Sequence, residues 1–200
     1  PAPGPGEVRV ALRAAALNHL DLFVAAGLPG TADRFPWIVG ADGAGTIESV
    51  GPGVTSVSPG DRVMLNPGIS DYSCEFCRAG EHSLCVSYRL LGEHLPGTLA
   101  ELVTVPPPNV ARGPNLSPPL TWGEAAAFSL VTLTAWRMVV TRAQLRAGET
   151  VLVWGIGGGV SLTAMRIAKL LGARVIVTSS NDAKLAAAKQ LGADVTINHK

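Results

Sequence analysis

Three cysteines lie close together in a chain that otherwise has none. Cys74, Cys77 and Cys85 fall within twelve positions of each other, and they are the only cysteines among the 200 residues. An odd, clustered set is typical of a metal site in a reducing compartment, whereas a disulfide framework uses paired cysteines. Thiolates are also preferred ligands of zinc. We therefore expect metal binding at this segment and a cytoplasmic protein.

A glycine-rich turn is the second feature that could carry chemistry. Residues 151–154 are apolar, residues 155–161 contain the glycines, and residues 162–171 form an amphipathic run. This pattern predicts a buried strand, a tight turn and a helix. Such a turn lets a phosphate approach backbone N–H groups at the positive end of the helix. The context that a dinucleotide-binding fingerprint requires is therefore present.

The elements that must position these features divide the chain in two. Alternating apolar residues at 8–12 predict a strand, the alanine-rich residues 14–27 predict a helix, and residues 36–51 predict a glycine-kinked strand. The second part alternates strand–helix–strand–helix–strand, which predicts a parallel, doubly wound sheet. Both ends read as cut, so we expect part of a longer chain. The predicted domains are 1–122, with the cysteine lobe at 71–85, and 123–200.

Composition and charge exclude two classes of partner. The 16 basic and 15 acidic residues give a formal net charge of +1 without a basic run, which argues against nucleic-acid binding. Arginines interrupt the longest apolar stretch, so none reaches the roughly 18 residues of a membrane span. The apolar fraction of 47% can build a sizeable core. The expected partner is a small molecule.

Four local matches give the chain a resemblance to the medium-chain dehydrogenase/reductase superfamily, which includes zinc alcohol dehydrogenases and quinone reductases. They lie at residues 17–27, 40–45, 50–63 and 155–161, in family order and at family-like spacing. The resemblance implies a mixed fold: a GroES-like β-barrel domain, then an α/β Rossmann domain that is incomplete here, with the active site in the cleft between them. It also implies a homo-dimer or homo-tetramer.

The cofactor implied by this resemblance is a nicotinamide dinucleotide. In NAD enzymes the second strand ends at an acidic residue that binds the ribose 2′-hydroxyl. Here the matching place falls on Ser179, so NADP(H) is expected over NAD(H), which stays possible if Asp182 serves instead. Otherwise Asp182 is interpreted as a helix N-cap. The predicted cofactor-binding residues are Gly155, Gly157, Gly158, Gly159, Val160, Ser179, Ser180, Asn181 and Lys184.

The three cysteines follow the spacing of the superfamily's structural zinc lobe, which carries four. The first of the four falls on Asp71. Three thiolates and one carboxylate still supply four donors with the same formal charge, and zinc accepts carboxylate oxygen. The resemblance thus implies one structural zinc on Asp71, Cys74, Cys77 and Cys85. The alternative is a metal-free lobe with free thiols.

The catalytic zinc of zinc alcohol dehydrogenases has no matching ligands here. Its three ligand positions fall on Asn18, Ala41 and Leu130, and the hydroxyl of the usual proton relay falls on Leu20. A catalytic zinc needs three protein ligands and an open position, so we expect no catalytic zinc at these three positions. A rebuilt site would have to use His19, Asp21, Asp42 and His94.

The chemistry that remains favours reduction. Without a Lewis acid, alcohol oxidation loses its main stabiliser of alkoxide charge, whereas reducing a quinone or an α,β-unsaturated carbonyl needs only hydrogen-bond donors at the developing oxyanion. Asn18 resembles the asparagine that orients the carbonyl in quinone reductases. We predict an NADPH-dependent reductase. A zinc-dependent alcohol dehydrogenase with substituted ligands and a non-enzymatic NADPH-binding relative are the alternatives. The candidate catalytic residues are Asn18, His19, Asp42 and Thr132.

Overall fold

The computed structural model of the chain describes residues 2–29, 31, 36–113 and 120–200. The chain divides into two compact units, Pro1–Leu130 and Val131–Lys200. Within the described ranges, no helix has the length and apolar character needed to cross a membrane.

The first unit is built mainly from short strands. Its described elements, in chain order, are β1 (Val8–Ala16), α1 (His19–Ala25), β2 (Asp42–Val50), β3 (Arg62–Leu65), β4 (Gly68–Ile69), α2 (Glu75–Arg78), β5 (Arg89–Leu90), β6 (Leu102–Val105) and β7 (Val110–Arg112). Short 3-10 turns lie at His82–Leu84 and Pro107–Asn109. Five of the strands form an antiparallel sheet in the order β6-β1-β2-β3-β7, while β4 pairs with β5.

The five-stranded sheet must curl into a barrel. β6 and β7 are its two edges, yet only residues 106–109 connect them, and three of these form the 3-10 turn Pro107–Asn109. A flat sheet would hold its edges about 19 Å apart, whereas a 3-10 turn advances only about 2 Å per residue. The barrel predicted for the first domain is therefore confirmed.

Alternate side chains of β1 point into the barrel core. Val8 and Val10 are fully buried and pack with apolar residues of the neighbouring strands, including Ile47 and Leu65. Gly45 lets β1 and β2 approach closely, because a Cβ at this position would lie 2.1 Å from the carbonyl oxygen of Ala11. Glycine is thus required where the barrel bends.

The helix predicted at 14–27 is wrong at its beginning. Residues 14–16 continue β1, with Ala14 opposite Ala44 and Ala16 opposite Asp42. Alanine favours a helix locally, but pairing along β2 satisfies the backbone of these residues and overrides that preference. The helix itself begins only at His19.

The second unit alternates strands and helices. After α3 (Trp122–Trp136) and a π-helical turn (Arg137–Arg142) come β8 (Thr150–Val153), α4 (Gly159–Leu170), β9 (Arg174–Ser179), α5 (Asp182–Gln190) and β10 (Val195–Asn198). The strands form a parallel sheet in the order β10-β9-β8. Buried valines of β8 and β9 pack against Met165 of α4 and Leu185 of α5. This is the start of the predicted Rossmann fold.

The two units divide within α3 rather than at the predicted boundary, 122/123. Ala125 and Ala126, in the first turns of α3, pack against Ala44 and Met64 of the barrel. Leu130 is the last residue of the first unit. The first half of α3 therefore belongs with the barrel, because its buried face contacts barrel residues.

Candidate functional site

The cysteine lobe brings the four predicted metal ligands together. The ligand atoms of Asp71, Cys74, Cys77 and Cys85 all lie within 4.8 Å of one another. Cys74 directly precedes α2 and Cys77 lies one turn later, while the 3-10 turn at His82–Leu84 leads to Cys85. Among the described residues, no other group of three or more such side chains converges in this way.

Side chains of the barrel hold the lobe in place. β4 and β5 pair at the two ends of the lobe segment. Asn109, fully buried, donates from Nδ2 to the carbonyl oxygens of Asn66 (2.9 Å) and Gly68 (2.7 Å) and accepts the Tyr72 hydroxyl (3.0 Å). Tyr72 has a left-handed backbone, φ 57°, which turns the chain between Asp71 and Cys74.

The Asp71 carboxylate is surrounded by hydrogen-bond donors. Its Oδ1 accepts the N–H groups of Ser73 (2.7 Å) and Cys74 (2.9 Å), and its Oδ2 accepts the hydroxyl of Ser87 (2.9 Å). The bonds from the Cys74 and Ser73 N–H groups, followed by that from Ser87, lower the pKa of Asp71 well below its usual range. The carboxylate is therefore ionised at neutral pH, as a metal ligand must be.

The two buried thiols differ in their proton affinity. Burial, together with hydrogen bonding to Cys74, Cys85 and Asp71, raises the pKa of Cys77 to about 12. Burial also acts to raise the pKa of Cys85, but the N–H of Asp71 and the hydroxyl of Ser87 outweigh it and lower that pKa. All three cysteines are unpaired. Three thiol sulfurs and one ionised oxygen at this spacing match the donor set of a closed tetrahedral zinc site.

The glycine turn has the predicted strand–turn–helix geometry. Gly155 and Gly157 have positive φ angles of 74° and 123°, which disfavour a side chain. Gly158 is the N-cap residue of α4. The hydroxyl of Ser161 accepts the N–H of Gly158 (3.2 Å) and donates to its carbonyl oxygen (3.0 Å). Ser161 therefore stabilises the first turn of the helix, a role that a glycine could not fill.

Gly159 and Val160, which are also predicted to bind the cofactor, are the first two residues of α4. A Cβ on Gly159 would lie 2.8 Å from Cγ1 of Val131, so this glycine permits close packing against α3. The side chain of Val160 packs against the core of the second unit. Only their backbone groups are therefore available to a phosphate.

The turn after β9 uses two of the predicted cofactor residues for its own structure. Ser179 is buried, and its hydroxyl accepts the N–H of Asn181 (3.1 Å). The side chain of Asn181 in turn accepts the N–H of Lys184 (3.1 Å) and so caps α5. The interpretation of Asp182 as the N-cap is therefore wrong. Asp182 is the first helical residue, and its carboxylate accepts Nδ2 of Asn198 (2.7 Å).

The remaining two predicted residues, Ser180 and Lys184, have exposed side chains. Lys184 lies over the glycine turn: a Cβ on Gly157 would be 2.8 Å from its Cδ and 3.4 Å from its Nζ. An ammonium group and a row of helix N–H groups thus stand at the same turn. Both favour an anion there.

Sequence reasoning missed an aromatic pair beside this turn. Trp154, which directly precedes Gly155, is 70% exposed and stacks on His199, with ring centroids 5.2 Å apart and planes 5° apart. His199 follows β10, so the pair spans the carboxyl edge of the sheet. A tryptophan next to the glycine turn was the available signal, but its partner could not be identified from sequence.

Asn18 and Asp42 form the second polar centre of the first unit. Nδ2 of Asn18 donates to Oδ2 of Asp42 (3.0 Å), and the backbone N–H of Leu130 donates to Oδ1 (2.8 Å). Asp21 accepts the backbone N–H groups of Asn18 (2.7 Å) and Gly40 (3.0 Å). Burial raises the pKa of Asp42, and the bonds from Asn18 and Leu130 offset part of that rise.

The other predicted residues of this group are His19, His94 and Thr132. His19 is exposed, with its ring 6.4 Å from that of Phe23. Nδ1 of His94 accepts the N–H of Leu90 (3.2 Å), and Nε2 lies 3.6 Å from the Glu93 carboxylate. Thr132 is half-buried on α3, in the second unit.

Comparisons with known proteins agree with this architecture. The profile of the alcohol dehydrogenase GroES-like domain matches residues 4–115, and that of the zinc-binding dehydrogenases matches residues 159–200. The chain belongs to the medium-chain dehydrogenase/reductase superfamily. This membership confirms the recognition made from the four sequence matches.

Individual relatives within the superfamily match nearly the whole chain. It is 36% identical over 184 residues to acryloyl-coenzyme A reductase from Metallosphaera sedula, covering 92% of this chain and 54% of the relative. It is 36% identical over 200 residues to an alcohol dehydrogenase from Geobacillus stearothermophilus, covering 98% and 57%. The chain thus spans little more than half the length of these relatives.

Solved structures give the same picture. The crystal structure of an NAD-dependent alcohol dehydrogenase matches with a TM-score of 0.93 and 52% identity, covering 100% of this chain and 57% of that one. The crystal structure of AibC matches with a TM-score of 0.90 and 41% identity, covering 98% and 54%.

Proposed function

We propose that the protein to which this chain belongs is an NAD(P)H-dependent reductase of quinones or α,β-unsaturated carbonyls that works without a catalytic zinc. One observation carries the proposal: Asn18, which the resemblance matches to a catalytic zinc ligand together with Ala41 and Leu130, donates its amide N–H to Asp42. An amide held in this way suits hydrogen bonding to a carbonyl oxygen.

The reaction divides between cofactor and protein. The nicotinamide, when bound, supplies a hydride to the electrophilic carbon and is oxidised, and a proton from solvent completes the reduction. The protein orients the carbonyl and stabilises the oxyanion by hydrogen bonds. Asn18 is the proposed donor of the first unit, and His19, which is exposed beside it, is a second. Thr132 is the proposed donor of the second unit.

The names of two relatives support this substrate class. Proteins from Metallosphaera sedula and Sulfurisphaera tokodaii, 36% and 32% identical to the chain, are named acryloyl-coenzyme A reductases. The acryloyl group is an α,β-unsaturated acyl group, so its carbonyl is the kind of oxygen that Asn18 would bind.

The proposed cofactor is NADPH, held at the glycine turn. The absence of a carboxylate at Ser179, together with the Lys184 ammonium over Gly157, supports a site for the 2′-phosphate. The test compares NADPH and NADH binding in the parent chain, Lys184→Ala and Lys184→Arg. Lys184→Ala should lose about 10-fold in NADPH affinity, while Lys184→Arg keeps most of it because the charge remains. Equal or tighter NADH binding by the parent protein would refute the preference.

The cysteine lobe is proposed to hold one structural zinc. Asp71, Cys74, Cys77 and Cys85 would supply four ligands and leave no open position for substrate. Such an ion would stabilise the lobe and take no part in hydride transfer. The three unpaired cysteines also support a reducing, cytoplasmic environment. The proposed homo-dimer or homo-tetramer can be tested by light scattering.

The decisive experiment combines metal analysis with an activity panel. The proposal expects about one zinc per chain, NADPH-dependent reduction of a quinone or enone, and no loss of turnover on brief treatment with a chelator. Two zinc ions with loss of activity on chelation would favour the zinc-dependent alcohol dehydrogenase. Cofactor binding without turnover on any carbonyl would favour the non-enzymatic relative.

A further inference from the structure

We infer that Asp42 is a positioning residue, which fixes the carboxamide of Asn18 so that its second N–H group points to the carbonyl oxygen of the substrate. The inference rests on the proposed reduction. It assigns Asp42 a role different from that of the other catalytic candidates, because Asp42 would act only through Asn18.

Burial separates Asp42 from any substrate. Asp42 is only 1% exposed, whereas Asn18 is partly accessible to solvent. Each carboxylate oxygen accepts one N–H group, from Asn18 at 3.0 Å and from Leu130 at 2.8 Å. The backbone oxygen of Asp42 also accepts the hydroxyl of Thr98 at 2.7 Å. The carboxylate therefore has a fixed position.

When the Asp42 carboxyl group is ionised, it removes the ambiguity of the Asn18 amide. A carboxamide has an oxygen at one end and an NH₂ group at the other, and a half-turn about its last bond exchanges them. At Asn18 the half-turn would place the amide oxygen against Oδ2 of Asp42, so that two acceptors face each other. The NH₂ group must therefore point to Asp42, and its second N–H takes a fixed direction.

The backbone of Asn18 is held as well. Its N–H donates to Oδ2 of Asp21 at 2.7 Å, and Oδ1 of Asp21 accepts the N–H of Gly40 at 3.0 Å. Asp21 is itself only 5% exposed. Two buried carboxylates thus fix the two ends of Asn18, one the backbone and the other the side chain. Such preorganised donors cost no reorganisation when charge develops on the substrate.

A purely structural role for Asp42 is the competing explanation, because its bond to Leu130 also ties β2 to α3. The two roles make different predictions for pairs of substitutions. A structural residue affects the protein whether or not Asn18 is present. A positioning residue has nothing left to position once Asn18 is replaced, so the two losses are not additive.

The first experiment reads the amide directly and needs no turnover. In the ¹⁵N-labelled chain, the side-chain NH₂ signals of Asn18 are identified by their loss in Asn18→Ala. We expect two well-separated proton signals in the parent chain, a shift toward free-carboxamide values in Asp42→Ala, and retention in Asp42→Glu, which keeps an acceptor. Unchanged signals in a folded Asp42→Ala chain would overturn the inference.

The second experiment is a double-mutant cycle on the active protein. Asn18→Ala should lower kcat with an enone by about 100-fold, the range measured for one oxyanion donor. Asp42→Ala should cause a comparable loss, and the double variant should be no slower than Asn18→Ala alone. NADPH affinity should stay unchanged in all three, and thermal unfolding should show that the unit holding Asn18 and Asp42 is folded in each.

Additive losses in kcat would contradict the positioning role and leave Asp42 structural. Failure of the parent protein to reduce any enone or quinone would instead refute the proposed function. In that case the NH₂ signals of Asn18 still decide whether Asp42 fixes the amide, so the two failures are distinguishable.

Discussion

The cysteine lobe and the Asn18 centre differ in what they offer a metal ion. In the lobe, Asp71 falls where the resemblance predicts a zinc-binding cysteine, and its carboxylate lies within 4.8 Å of the three sulfurs. At the other centre, Asn18 and Leu130 fall where the resemblance predicts cysteines, and both donate N–H groups to the carboxylate of Asp42. A substitution can preserve a donor set only when the new side chain supplies a donor atom at the same place.

The electrostatics of the two carboxylates show the same contrast. Hydrogen bonds from N–H groups lower the pKa of the exposed Asp71. Burial raises the pKa of Asp42, although two N–H groups bind it. The surroundings of Asp71 thus stabilise its charged form, which can bind a cation. The burial of Asp42 destabilises its charged form, and only neutral N–H donors offset part of that effect.

The strongest test of the comparison removes a buried thiol from the lobe. Cys77→Ala should reduce bound zinc from about one ion per chain to almost none, because three donors no longer close a tetrahedral site. Elemental analysis after gel filtration measures the loss, and thermal unfolding should show a lower Tm. His82→Ala, in the same lobe, is the control and should retain its metal. Full zinc content in Cys77→Ala would show that the lobe does not bind zinc through Cys77.

The next test separates charge from geometry at Asp71. Asp71→Asn keeps an acceptor for the N–H groups of Ser73 and Cys74 but loses the charge, so zinc affinity should fall by at least about 10-fold. Asp71→Cys should hold zinc but lose the hydrogen bonds from the N–H groups of Ser73 and Cys74, which should lower the free energy of unfolding. Competition with a chromophoric chelator and urea unfolding measure the two effects. Equal zinc affinity in Asp71→Asn would exclude Asp71 as a ligand.

A smaller effect is expected at Ser87, whose hydroxyl donates to Oδ2 of Asp71 and lies 3.6 Å from Sγ of Cys85. Ser87→Ala should lower zinc affinity by about 10-fold, since partners that orient metal ligands contribute in this range. Ser73→Ala is the matched control, because only the backbone of Ser73 contacts Asp71. Identical zinc release from both variants would argue against a role for the hydroxyl.

The smallest expected effect is a pH dependence at Asp42. Because burial raises its folded pKa, and Asp21 acts in the same direction, the contribution of Asp42 to stability is fully present below its unfolded pKa and is lost as pH rises through the folded value. The unfolding free energy of Asp42→Asn, relative to the parent, should therefore rise as the pH increases above about 4, the ordinary pKa of an aspartate. Urea unfolding across this range measures it. A relative fall would mean that hydrogen bonding outweighs burial.

Local patterns determined much of the architecture. The alternation around Val8 and Val10 predicted a strand, and the strand–helix alternation after the glycine turn predicted a parallel, doubly wound sheet. The barrel itself was implied by the resemblance to the superfamily. The spacing of the cysteines and Asp71 indicated the lobe, because four ligands within fifteen residues can converge through short turns alone. These signals lie within single elements, where sequence and geometry are directly linked.

Contacts between distant segments decided the rest. Residues 14–16 became a strand because β2, about 30 residues further along the chain, pairs with them. The bonds of Asp42 to Asn18 and Leu130 join residues 24 and 88 positions apart, which no local pattern records. The sequence therefore determined which residues could do chemistry. Only the tertiary structure decided that Asp42 lies behind Asn18, because burial and long-range hydrogen bonds arise when the chain folds.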